Sequence, residues 1–277
     1  MKNFLPYWIC MMFCLSTSGE MLAQEPDSLI KEPKKEVYDF IILSGKIHNT
    51  FTFLGRDFGQ AIPFVSTDVM YYFNSGWFIN SSGFKFLDTE LPLQSSLSVG
   101  YQREISSYTN INFSYSQFLV SGNSSVAGIQ NLGFLQSTFG WDWNYMYSTI
   151  QAQFLFSENP DFFFVSQHSR YFQFDQKLFN KITVSFEPKF SLTAGTSRYY
   201  LLGEFPERED TASKEMEKIQ LLNWDFSLPV SFGLRSLDLE IFTKYVSPLN
   251  VPEFDSSSSR FVYGLQLNYF VPVKRKK

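Results

Sequence analysis

Glu187 and Lys189 stand two residues apart in a segment that alternates almost without fault. Ile182, Val184, Phe186, Phe190 and Leu192 share one parity; Thr183, Ser185, Glu187, Lys189, Ser191 and Thr193 share the other. Residues two apart on an extended chain point to the same side, so both charges leave one face. Asp225, Glu240 and Lys244 recur on the polar parity of later alternating runs. Such charges inside a closed sheet have two uses. They can form a constriction that selects solutes, because rings of charge set pore selectivity. They can instead pair and fill a narrow interior, since lipid offers them no partner. If Gly195 pairs near Ile219 and Arg235-Ser236 is a tight turn, Lys189 lies opposite Asp225. Lys244 then lies one diagonal step from Asp225, with Glu187 and Glu240 on the same inner face.

Other chemistry-bearing residues are sparse. Lys46, His48, Asp68 and Arg260 fall on the same polar face, where His48 reads as a wetted wall residue. His168 is followed directly by Ser169; adjacent strand residues face opposite ways, so they do not pair as base and nucleophile. His48 and Thr50 share a face, but that face is the inner one. No catalytic residue is therefore expected. Both cysteines, Cys10 and Cys14, lie in the amino-terminal apolar stretch, and the two histidines are far apart. No metal site is expected from that set. Gly-rich phosphate loops and dinucleotide fingerprints are absent, so no cofactor is expected. A net charge of -4 with no basic stripe gives no reason to expect a nucleic-acid partner.

The elements that must position these residues are strands. The chain is 19% aromatic, yet beyond its amino terminus it has no apolar run near the ~20 residues of a spanning helix. Lys2 followed by the apolar stretch Phe4–Leu15 reads as a secretion signal over 1–23, cleaved after Ala23. Residues 24–37, charged and proline-containing, read as a flexible periplasmic leader. Residues 38–273 read as the folded unit and 274–277 as a basic tail. Alternation and turn residues predict about 12 strands: 39–55, 60–73, 77–87, 92–104, 109–120, 129–142, 145–156, 162–174, 182–194, 219–233, 237–247 and 259–272. Counts of 10 to 14 fit the same pattern. Pro188 and Pro229 fall inside predicted strands, where each removes a ladder donor, so a local bulge or kink is expected at both.

Connection lengths sort by side. Asn74-Ser75-Gly76, Ser106-Ser107-Tyr108, Trp143-Asn144, 175–181 and Arg235-Ser236 alternate with the longer 120–128, 195–217 and 247–258. Short turns at one end and long loops at the other are the habit of antiparallel transmembrane barrels, with the short turns in the periplasm. Tyr71, Tyr72, Trp77, Trp141, Trp143 and Tyr145 flank the short turns, as interfacial aromatic girdles do.

At this point the chain resembles the outer-membrane β-barrel proteins of Gram-negative bacteria. It is similar in style to small porin families of this size. Phe53-Leu54-Gly55-Arg56-Asp57-Phe58-Gly59-Gln60, the strand to Phe73 and the Asn74-Ser75-Gly76 turn resemble their first hairpins. The resemblance implies an all-β, up-and-down antiparallel barrel embedded in the outer-membrane bilayer. One departure is plain: such barrels commonly end in an aromatic residue, whereas Tyr269 and Phe270 are followed here by Val-Pro-Val and four basic residues. The leading expectation is a passive channel for a small solute, with Glu187, Lys189, Asp225, Glu240 and Lys244 setting selectivity. The alternative is a non-conducting barrel that binds a partner, its interior filled by Phe64, Met70, Tyr72, Phe242 and Phe270. A lipid-modifying enzyme is a third, weaker reading. The charged loop 196–217 suits either a solvated surface or a lid.

Overall fold

The computed structural model describes residues 38–274, apart from 58, 88, 90–91, 120–131, 158 and 203–213. The expected signal, the leader and residues 275–277 of the tail lie outside the described residues. The strands are β1 (Tyr38–His48), β2 (Phe64–Tyr72), β3 (Trp77–Phe86), β4 (Gln94–Ser106) and β5 (Thr109–Leu119). Then follow β6 (Gly133–Asp142), β7 (Tyr147–Phe156), β8 (Asp161–Ser169), β9 (Phe172–Gln173) and β10 (Thr183–Phe186). The last are β11 (Lys189–Gly195), β12 (Gln220–Leu234), β13 (Leu237–Pro248) and β14 (Arg260–Lys274).

All pair antiparallel in one sheet, and β11 bonds both β8 and β12, which closes it. β9 continues the wall of β8, and β10 continues that of β11, so the barrel has 12 walls. Closure leaves no free edge, which is what a sheet surrounded by hydrocarbon requires. The fold is the expected all-β barrel.

The two prolines break the wall at one place. The register pairs Thr183 with Gly233 and Lys189 with Ser227, which sets Glu187 beside Pro229. The Glu187 amide donates to the Pro229 carbonyl (3.2 Å), but Pro229 has no N–H to return. Pro188 lacks its own donor at the same level, and the strand is interrupted there between β10 and β11. Grouping both missing donors at one point leaves the ladder regular on either side.

The alternation sorts the two faces. On β13 and β14, Leu239 pairs with Leu267 and Ile241 with Leu265; all four are exposed and point outward. Val69, Ile79, Leu97, Val99, Leu135 and Ile150 continue this apolar surface around the barrel. A water-soluble protein does not sustain so continuous an exposed patch; a transmembrane barrel requires it. Aromatics rim both ends. Trp141 and Trp143 stack at 4.6 Å beside one short turn, and Trp77 meets Tyr101 at 5.2 Å beside another. Trp224, Tyr245 and Phe261 form a row at the long-loop end, with centroids 5.5 and 5.1 Å apart. An exterior of this kind on a closed barrel places the protein in the bacterial outer membrane.

One predicted element is corrected. Residues 49–55 were expected to extend the first strand and 60–63 to begin the second, but β1 ends at His48 and β2 begins at Phe64. The segment between them turns into the mouth of the barrel. Leu54 and Gly55 adopt left-handed φ values of 46° and 80°, and Phe53 and Arg56 exchange two backbone hydrogen bonds of 2.7 Å across that turn. A Cβ on Gly55 would lie 2.4 Å from the Asn223 Cβ, so a residue with a side chain does not fit this close approach.

Candidate solute pathway

The inward parity is polar along nearly every wall. A cavity of about 350 Å³ runs inside, from Gln102, Asn110 and Tyr147 toward the short-turn end to Phe51–Gly55 of the inward loop. Lys189, Asp225, Glu240 and Lys244 line it together with Lys46 and His48. Glu187 joins through an ion pair with Lys189 at 3.2 Å, and Lys244 pairs with Asp225 at 3.3 Å.

The cross-strand placement of Lys189 differs from expectation. Lys189 lies opposite Ser227, and the residue opposite Asp225 is Ser191. Gly195 pairs with Gln220, one residue beyond Ile219, and a bulge at Thr193/Ala194 adds one more. A slip of two preserves the face and changes the neighbours. Lys189 therefore turns to Glu187 on its own wall, while Lys244 keeps its diagonal relation to Asp225.

The remaining inner-face residues divide by depth. His48 stacks on Phe64 (4.3 Å) and packs against Phe242 (4.6 Å). Asp68 is buried and accepts from the Ser82 hydroxyl at 2.5 Å. Arg260 belongs to the mouth rather than the cavity and pairs with Asp57. Phe64 and Phe242 line the cavity, whereas Met70, Tyr72 and Phe270 are not among its lining residues.

The mouth is lined by residues that the periodicity assigned to strands. Phe51 packs edge-on against Phe86 (5.4 Å) and Phe64 (5.9 Å); Phe53 meets Tyr199 (5.0 Å) and Phe163 (6.1 Å). Arg56 is fully buried. Its Nη2 donates to the carbonyls of Leu249 (2.5 Å) and Asn250 (3.3 Å), and its Nε lies 4.0 Å from Asp255. Asp255 also accepts from the Ser257 amide (2.9 Å), the Ser257 hydroxyl (2.7 Å) and Tyr200. The Asp57 amide donates to the Ser257 hydroxyl (3.0 Å). The loop after β1 is thus latched to the loop after β13. A short 3-10 helix, Arg198–Leu202, supplies Tyr199 and Tyr200. Burial pushes the Tyr199 phenol up to about 12; burial, then Tyr199 beside it, pushes Tyr200 up as well. Both are neutral at ordinary pH, and Tyr200 donates to Asp255. The expected lid in 196–217 contributes here through its first residues; 203–213 lie outside the described residues.

His168 behaves differently from its sequence reading. Ser169 does point away from it, into the interior, yet His168 has other hydroxyl neighbours on the outer face. Ser148, directly across on β7, meets Nδ1 at 2.9 Å, and Ser166 meets Nε2 at 3.4 Å. The Trp143 indole N–H donates to Ser148 at 3.1 Å. A Ser-x-His spacing on one strand face was the signal available in the sequence. Both ring nitrogens are taken by hydroxyls, and the group sits among the aromatics beside the Trp143-Asn144 turn.

No protein-family model matches the chain, and no curated protein matches it. Among solved structures, LpxR from Salmonella typhimurium is similar at a TM-score of 0.51 and 7% identity, over 83% of this chain and 100% of that one. The NanC porin (TM-score 0.48, 10% identity) and the KdgM porin (0.47, 9%) each match 83% of this chain and 98% of their own. At such identities the likeness is one of fold: a closed barrel of the outer-membrane class.

Proposed function

We propose that the protein is a passive outer-membrane channel for small polar solutes, narrowed at its long-loop end by the inward loop after β1, with residues 1–23 as its export signal. The observation that carries this reading is the polar, charge-lined cavity of about 350 Å³ within a closed barrel. A purely structural barrel gains nothing from keeping space among inward lysines and carboxylates, since buried charge is costly wherever packing could replace it. Glu187, Lys189, Asp225, Glu240 and Lys244 are the residues proposed to set selectivity, because they face the space through which a solute passes. Planar-bilayer recordings of the purified chain test the proposal. Discrete conductance steps that grow when the inward loop is released support it; no conductance at any voltage, with the loop released, overturns it.

One observation favours a second reading, a barrel that stays shut and serves as a docking or structural element. The latch buries Arg56 completely and ties two loops together, which suits a permanent plug as well as a gate. Loop release without any rise in conductance is the outcome that selects this reading. No catalytic role is assigned to His168, because both ring nitrogens are occupied and no acid orients the ring among the described contacts.

A further inference from the structure

Ionisable side chains on a lipid-facing wall are costly, and where they occur they point to function. The outer face of β7, β8 and β11 is hydrophobic, with Ile150, Phe156, Phe164 and Phe190 exposed, but one polar band crosses it near the short turns. Ser148, His168 and Ser166 are joined there through the imidazole, at 2.9 and 3.4 Å. Arg170 follows two residues beyond His168 and is exposed. Its Nη1 donates to the Asn144 carbonyl, which holds the guanidinium at the β6–β7 turn beside the stacked Trp141 and Trp143.

The wall continues past this band. β7 makes its last pair with β8 at Tyr147 and Ser169, whereas β9 runs on and pairs with β10 alone. Phe172 and Phe174 on that extension are exposed and gather against Phe186, with centroids 4.9 and 5.8 Å away. Hydrophobic surface therefore lies on both sides of the band along the wall. Exposed phenylalanines beyond it keep the band within the lipid interface, at headgroup depth, rather than in open water.

The chemistry of the band selects its occupant. The short-turn end faces the periplasm, so the inner leaflet lies against it. At headgroup depth a phospholipid presents a phosphodiester, an anion that only accepts hydrogen bonds. The Arg170 guanidinium is a planar fork of donors that matches phosphate oxygens two at a time. The carboxylate of the same turn, Asp142, is engaged by the Asn144 amide (2.7 Å). The Trp143 indole donates to Ser148 (3.1 Å) and fixes that hydroxyl next to the imidazole. The paired indoles offer a flat apolar surface to the first carbons of the acyl chains.

We propose that Arg170, with Ser148 and His168 beside it, holds the phosphate of an inner-leaflet phospholipid against the Trp141–Trp143 stack. The proposal rests on the membrane location and not on the channel reading. Native mass spectrometry of the full-length barrel tests it with three probes: dioleoylphosphatidylglycerol, dioleoylglycerol (the same chains without phosphate) and glycerol phosphate (the headgroup without chains). Phosphatidylglycerol is expected to be retained saturably, one molecule per barrel, and roughly tenfold more tightly than dioleoylglycerol, the scale of one charge-assisted hydrogen bond. Arg170→Gln is expected to remove most of that difference. Arg103→Gln, at an exposed arginine near the short-turn end of β4, is expected to leave it unchanged. Equal retention of the two lipids by the unaltered protein overturns the proposal with no variant needed. Equal loss in both arginine variants also overturns it, because it marks a general attraction of the rim for anionic lipid. Displacement of the lipid by glycerol phosphate overturns it in favour of a site for free phosphate.

Discussion

Arg56→Ala is the sharpest perturbation of the latch. The wild-type guanidinium supplies two hydrogen bonds to backbone carbonyls, at 2.5 and 3.3 Å, and lies 4.0 Å from Asp255. Hydrogen bonds from a charged donor contribute about 1.5–3 kcal/mol each. Recovering the hydration of a buried guanidinium offsets part of that loss. Asp255 keeps Tyr200 and Ser257 as donors, so it is not stranded. The net cost to the closed loop is about 2–3 kcal/mol, which lowers the closed-to-open ratio roughly 30- to 150-fold at ~1.4 kcal/mol per decade. Single-channel recording at fixed voltage reads this as a rise in open probability. Arg56→Lys, which keeps the charge but presents a point donor in place of a planar fork, should fall between the two. A folded Arg56→Ala barrel with the open probability of the wild type refutes the argument that this latch holds the mouth shut.

Three further outcomes follow from other parts of the molecule. Lys189→Glu places a second carboxylate beside Glu187 and should move the reversal potential in a salt gradient toward cation preference; an unchanged potential removes Lys189 from the pathway. Leu265→Lys on the lipid face should cost about 2–4 kcal/mol if it lies near the bilayer midplane, read as a lower urea midpoint for folding into vesicles. Tyr199 has an ordinary value of 10.0 and a buried one of about 12. Below 10 its phenol is protonated whether the loop is packed or released, and closure is at full strength. Between about 10 and 12 the released phenol ionises first, so closure weakens as pH rises. Tyr199→Phe should lessen that dependence, Tyr200 supplying the remainder, measured as conductance against pH.

The walls were legible in the sequence because a strand's side-chain period is two and each wall separates lipid from water. β12, β13 and β14 illustrate this: their outward leucines and aromatics and inward Asp225, Glu240 and Lys244 are set by parity alone. Parity survives a two-residue slip, so the bulge at Thr193/Ala194 altered the partner of Lys189 without altering its face. Outer-face hydroxyls were harder to read. Ser148 and His168 are 20 residues apart and are brought together only by the pairing of β7 with β8.

What the amino-acid sequence determined by itself was therefore the barrel, its membrane-facing surface and the inward set of charges. Only the tertiary structure decided which residues turn into the mouth. Phe51 and Phe53 continue the spacing of a strand, so nothing local separates a wall segment from a loop that turns inward. The distinction comes from partners remote in sequence: Phe163 and Tyr199 around Phe53, Leu249, Asn250 and Asp255 around Arg56, and Asn223 against Gly55. Those contacts exist only once the sheet has closed, because closure is what brings the ends of walls from opposite parts of the chain to one rim.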